Sequence, residues 1–151
     1  EAHGDIAFSI TDHIDDVRIA CDAQQIRQAV TNLIQNGIDS IHENGGMARM
    51  NILMTKDSAN ENYVICVSDS GLGLPKNEDP SRLTEPYVTH KVRGTGLGLA
   101  IVKKIMEDHG GRLVIGTPDW IKSLKGWEDL GGASVSLVLP FPDTQQKNIA
   151  A

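Results

Sequence analysis

The chain predicts a two-layer α/β sandwich, a mixed sheet of about five strands packed on two or three helices. Three observations point there. Two segments, 23–43 and 97–109, repeat their apolar residues at helical spacing. Short runs rich in Val, Ile and Leu alternate with them and stop at Gly, Asn or Pro. Hydrophobic residues make up 40% of the 151 positions and charged residues 23%, a balance that builds one globular core and not a disordered chain. One domain over 1–143 is expected, followed by a frayed polar tail over 144–151.

In chain order, Ile6–Thr11 and Val17–Cys21 have the composition of short strands. Asp22 suits a helix N-cap, and the helix that follows places Ile26, Val30, Leu33, Gly37 and Ile41 at three- and four-residue steps until Asn44-Gly45-Gly46 stops it. Met47–Thr55 and Tyr63–Ser68 form a pair of strands around a polar turn. Residues 70–95 show no regular period, and so long a connection inside a small domain is normally functional or disordered. Leu97–His109 gives the second helix, closed by Gly110-Gly111. Arg112–Thr117 and Ala133–Leu139 are the last strands. They flank an insert, Pro118–Gly132, whose Trp120, Leu124 and Trp127 would cover a sheet edge.

Composition narrows the function classes. Fourteen Lys plus Arg stand against 20 Asp plus Glu, a net charge of -6, which argues against general nucleic-acid binding. No apolar run approaches the roughly 20 residues needed to cross a bilayer. Two cysteines, Cys21 and Cys66, make no disulfide framework. Their apolar surroundings predict buried free thiols in a reducing compartment. The five histidines have no metal-ligand spacing.

Three stretches carry chemistry. On the first helix, Asn32 and Asn36 lie one turn apart on one face, extended by Asp39 and Ser40. Asn is a poor helix former because its amide competes for backbone groups, so two on one face suggest a ligand. A neutral amide oxygen suits Mg²⁺, which takes few protein ligands beside water and phosphate oxygens. By itself the pattern also fits a solvated helix face. Next, Asp69-Ser70-Gly71-Leu72-Gly73-Leu74-Pro75 follows an apolar strand. Glycines at a strand end let the backbone approach a ligand closely, and a buried carboxylate accepts a hydrogen bond from an exocyclic amine, favouring adenine over guanine. An ordinary Asp-Gly turn would look the same. Finally, Gly94-Thr95-Gly96-Leu97-Gly98-Leu99 enters the second helix. A glycine-rich helix start offers free N–H groups and the positive dipole end to a phosphate. It lacks the Lys-Ser/Thr of a Walker A loop and the glycine spacing of a dinucleotide fingerprint. Lys91 and Arg93 are the cations nearest this turn.

In this order the stretches resemble the GHKL (Bergerat-type) nucleotide-binding fold, as in the catalytic ATP-binding domain of bacterial sensor histidine kinases. QAVTNLIQNGIDSI is similar to the N box, DSGLGLP to the G1 box, EPYVTHK to the F box and GTGLGLAIVKKIMEDHGG to the G2 box, covering Gln24 to Pro140. The wording from EPYVT to DHGG further resembles nitrogen-regulation sensor kinases of the NtrY type. The resemblance implies ATP and Mg²⁺ as ligands. Asn36 would ligate the metal and Asn32 would assist near the γ-phosphate. Asp69 would recognise the adenine amino group, with Gly71, Gly73 and Leu74 beside the base. Residues 75–93 would form the ATP lid, including Tyr87, Thr89, Lys91 and Arg93, with Lys91 assigned a catalytic share. Gly94, Thr95, Gly96, Leu97, Gly98 and Leu99 would bind phosphates through main-chain N–H groups.

The departures from the family pattern are specific. Gly37 stands for the usual Ala, at about 1 kcal/mol of helix propensity. Asp39 replaces a frequent phosphate-contacting Lys, and Ser40 an aromatic that stacks on adenine in some members. Ala133 replaces a Thr, and Tyr87 a Phe.

Hydrolytic members of the superfamily carry a Glu where this chain has Asn32, and an amide cannot serve as a base toward water. Transfer to a histidine needs mainly positioning and charge neutralisation, because imidazole is already a nucleophile. The resemblance therefore implies donation of the γ-phosphoryl group to a histidine on a separate dimerisation and phosphoacceptor domain, expected upstream of Glu1 in a longer chain. A response regulator would be the indirect partner. The isolated domain is expected to be monomeric and cytoplasmic, its parent a homodimer anchored in the inner membrane. The alternative is a nucleotide-responsive protein-binding module, an anti-sigma-like or degenerate kinase without phosphotransfer.

Overall fold

The computed structural model describes residues 5–14, 17–74, 84–85 and 98–142. Five strands form one mixed sheet in the order β1-β2-β3-β5-β4. They are β1 (Ala7–Asp12), β2 (Arg49–Asp57), β3 (Asn62–Asp69), β4 (Arg112–Ile115) and β5 (Ser134–Pro140). β1 runs parallel to β2, from Ala7 opposite Arg49 to Asp12 opposite Met54, and the remaining pairs are antiparallel. The helices are α1 (Ala23–Asn44), α2 (Gly98–Asp108) and the single turn α3 (Asp119–Lys122).

The strand alternation sorts side chains onto two faces. Met50, Val67, Leu137 and Leu139 face the helices and pack with Ala29, Leu33, Ile38 and Ile41 of α1 and Val102, Ile105 and Met106 of α2. α1 starts where its sequence says it should: the Asp22 carboxylate accepts from the N–H groups of Gln24 (3.1 Å) and Gln25 (3.2 Å). It ends at Gly45, whose φ of 71° lets its N–H return to the Ile41 carbonyl.

The other face corrects an expectation. Leu53, Val64, Cys66 and Val138 point away from the helices and need cover. The insert supplies it by lying across this face instead of along an edge. Ile121 of α3 is 0% exposed, and Leu124 and Trp127 pack beside it, whereas Trp120 stays at the surface. Polar contacts pin the strap: Arg49 pairs with Glu128 at 2.7 Å, Asn51 Nδ2 donates to the Gly126 carbonyl at 3.0 Å, and His13 Nε2 donates to the Lys125 carbonyl at 2.6 Å.

Two smaller expectations also fail. Val17–Cys21 forms no strand. Ile19 instead packs onto the helix-side core as the chain turns into the Asp22 cap. Of the two unpaired thiols, Cys66 is buried but Cys21 is exposed, because the run containing Cys21 never enters the sheet. Among the described residues no helix is long and apolar enough to cross a membrane.

Candidate functional site

Asp69 ends β3 on the helix-facing side and is 7% exposed. A buried carboxylate needs donors, and main-chain groups provide them. Its Oδ1 accepts from the N–H of Gly71 at 2.9 Å and of Ala133 at 3.2 Å. The backbone locks the same spot, with Asp69 N–H donating to the Ala133 carbonyl and Gly132 N–H donating to the Asp69 carbonyl, both at 3.0 Å. Gly132 allows this approach. A Cβ there would fall 2.5 Å from the Gly71 nitrogen and closer still to both the carbonyl and the Oδ1 of Asp69.

The glycine turn after Asp69 leans on α1. A Cβ on Gly71 would lie 2.6 Å from the Ser40 carbonyl carbon, and Leu72 N–H donates to Ser40 Oγ at 2.8 Å. Ser40 therefore holds the turn in place. Gly73 has a φ of 86°, in the left-handed region that glycine adopts without strain, and Leu74 after it is half-buried. Ser70 anchors the turn to β2, accepting from Arg49 N–H at 2.9 Å, while Asn44 Nδ2 donates to the Ser70 carbonyl at 3.2 Å.

Two consecutive residues of α1 link the separate parts. Gly37 faces Asp69: a Cβ on it would be 3.3 Å from Asp69 Oδ2 and would press on the Met50 terminal methyl. Asn36 faces the start of α2, with its Oδ1 3.3 Å and its Nδ2 3.5 Å from where a Cβ on Gly98 would be. One helix thus brings the G1-like carboxylate and Gly98, at the start of α2, to neighbouring positions. Asn32 sits half-buried one turn earlier. Asp39 accepts from Gln35 Nε2 at 2.8 Å, so a carboxylate occupies the helix flank where a cation is common. The half-buried Leu99 side chain packs against the helix-side core.

Tyr87, Thr89, Lys91, Arg93, Gly94, Thr95, Gly96 and Leu97 lie outside the described residues, as do most of the expected lid and the tail. Gly132 and the Ala133 N–H were missing from the expected site. The signal for them is the strand register. Ser68 opposite Ser134 puts residues 132 and 133 beside Asp69. Among the described residues no group of three or more His, Cys, Asp or Glu could hold a metal. The Asn36 amide is the oxygen donor that fits a phosphate-bound Mg²⁺, being a hard ligand set beside a helix N-terminus.

The profile of the family described as histidine kinase-, DNA gyrase B- and HSP90-like ATPases matches residues 21–143. The chain is 40% identical over 110 residues to the nitrogen regulation protein NtrY of Azorhizobium caulinodans, covering 67% of this chain and 14% of that protein. It is 35% identical over 129 residues to the sensor histidine kinase ZraS of Salmonella typhimurium, covering 85% of this chain and 24% of that protein. The chain thus spans a quarter or less of these relatives' lengths. Among solved structures, the catalytic domain of the histidine kinase ThkA superposes with a TM-score of 0.69 at 27% identity, covering 92% of this chain and 82% of that one. The chain belongs to the histidine kinase-, DNA gyrase B- and HSP90-like ATPase family and has the fold of a histidine kinase catalytic domain.

Proposed function

We propose that this chain binds Mg·ATP and donates its γ-phosphoryl group to a histidine on a dimerisation and phosphoacceptor domain of a two-component sensor kinase, one serving nitrogen regulation as the name of the Azorhizobium relative indicates for that protein. The observation that carries this reading is the pairing of Asn36 with Gly98 and of Gly37 with Asp69 by two consecutive residues of α1. A nucleotide spanning the two contacts would meet a carboxylate at its base and an amide beside a helix start at its phosphates. Asp69 Oδ1 is held by two N–H groups, which orients the carboxylate as acceptor for the adenine amino group. Guanine presents a carbonyl at that position and would be rejected.

Asn36 would hold Mg²⁺, which when bound neutralises charge on the phosphates. Asn32 would orient the γ-phosphate. Because Asn32 carries no basic oxygen, water is poorly activated, and the reading favours transfer over hydrolysis. Lys91, Arg93 and the glycines from Gly94 to Gly98 would complete the phosphate contacts through charge and main-chain N–H groups. Residues 1–143 would act as the catalytic domain.

The test mixes this chain with a separately made acceptor domain, ATP and Mg²⁺. Acid-labile phosphate on the acceptor is the expected result. Intact ATP binding without acceptor phosphate would support a nucleotide-responsive binding module instead, and steady phosphate release by the chain alone would support a hydrolytic ATPase.

A further inference from the structure

His109 follows α2, is only 7% exposed, and plays no part in the roles assigned so far. Both ring nitrogens are engaged. Nε2 accepts from the Asp22 backbone N–H at 3.0 Å, and Nδ1 lies 2.7 Å from the Ile105 carbonyl. With Nε2 accepting, the hydrogen of the neutral ring sits on Nδ1 and is donated to Ile105. Asp22 is the N-cap of α1. The Ile105 carbonyl is in the last turn of α2, where carbonyls lack helical partners, and the His109 N–H itself goes to Met106. One imidazole therefore ties the start of α1 to the end of α2.

The same two helices meet again at the site, where Asn36 stands beside Gly98. The eleven residues of α2 separate these two contacts by about 16 Å at 1.5 Å per residue. A change of ~5° at the His109 end would move the Gly98 end by about 1.4 Å over that length, enough to spoil a phosphate contact. We propose that His109 is a positioning residue: it fixes the angle between α1 and α2 and so sets the spacing of Asn36 from the start of α2. The proposal rests on the nucleotide reading above.

The experiment compares affinity for Mg·ATP, which needs both helices, with affinity for AMP, which reaches only the Asp69 end, by titration followed by NMR. His109→Phe keeps a ring and loses both polar contacts. It is expected to weaken Mg·ATP about fivefold, roughly 1 kcal/mol, while AMP stays within about twofold. His109→Gln, with an oxygen near the Nε2 position, should restore part of the Mg·ATP affinity. Ile121→Val, on the opposite sheet face, lowers stability and should leave both affinities unchanged. If Mg·ATP and AMP weaken together in His109→Phe, or if Ile121→Val reproduces its pattern, the proposal is overturned. Should His109→Phe fail to fold, His109→Asn keeps a donor for Ile105 and loses the acceptor for Asp22, and an unchanged affinity ratio there overturns it equally. A wild-type chain that bound neither nucleotide would defeat the nucleotide reading instead.

Discussion

The Asp69 end of the site and the Asn36 end are built by different means. At Asp69, main-chain atoms of β3, the glycine turn and the residues before β5 interlock, and two N–H groups fix one carboxylate oxygen. At Asn36, a single side-chain amide faces the first residue of α2. The first end should therefore be sensitive to added volume, because backbone cannot step aside. The second should be sensitive to chemistry, because a side chain can be exchanged without moving either helix.

The largest effect is expected from Gly132→Ala, which drives a methyl into the Asp69 backbone. Urea unfolding should show a loss of about 1–3 kcal/mol, and ATP affinity should fall about tenfold or more. Wild-type values for both would mean that the close approach is not a constraint. Asp69→Asn comes next. It keeps the shape, replaces an acceptor with an amide, and should weaken ATP by roughly 1–3 kcal/mol, with a smaller preference for ATP over GTP. Unchanged affinity would remove Asp69 from the base contact. Asn36→Ala should leave thermal stability near wild type, since Ala is the better helix former, while reducing Mg·ATP binding more than metal-free ATP binding. Equal losses would count against the amide as a metal ligand. Gly37→Ala should have the smallest effect. The added methyl meets the flexible end of Met50, and its strain opposes a helix-propensity gain of about 1 kcal/mol. A net stability change well beyond that gain would show that the Asp69 contact, not Met50, limits this position.

The same contrast explains what could be read from the residues alone. Helices α1 and α2 announced themselves through apolar spacing, and β3 and β5 through short apolar runs rich in Val, Ile and Leu bounded by turn residues, because a core leaves such an imprint wherever an element is buried. Val17–Cys21 carried the imprint of a strand but uses Ile19 to close the helix layer. Nothing local distinguishes those outcomes. The insert hid its role for a related reason: Ile121 and Trp127 cover Leu53 and Val64, residues far off in sequence. Asn36 and Asp69 stood out because their side chains are unusual for their positions. Gly132 did not, because its task is to bring backbone atoms together across a strand register, and one glycine in a Gly-Gly pair looks like any turn.

In the proposed complex, Asn36 and Asp69 would grip opposite ends of one nucleotide. Calorimetric titration with ATP and GTP, each with and without Mg²⁺, tests it most directly. ATP is expected to bind, GTP to bind at least about tenfold more weakly, and Mg²⁺ to strengthen ATP binding in the wild type but not in Asn36→Ala. Equal affinity for the two bases, or a magnesium effect untouched by Asn36→Ala, would contradict it.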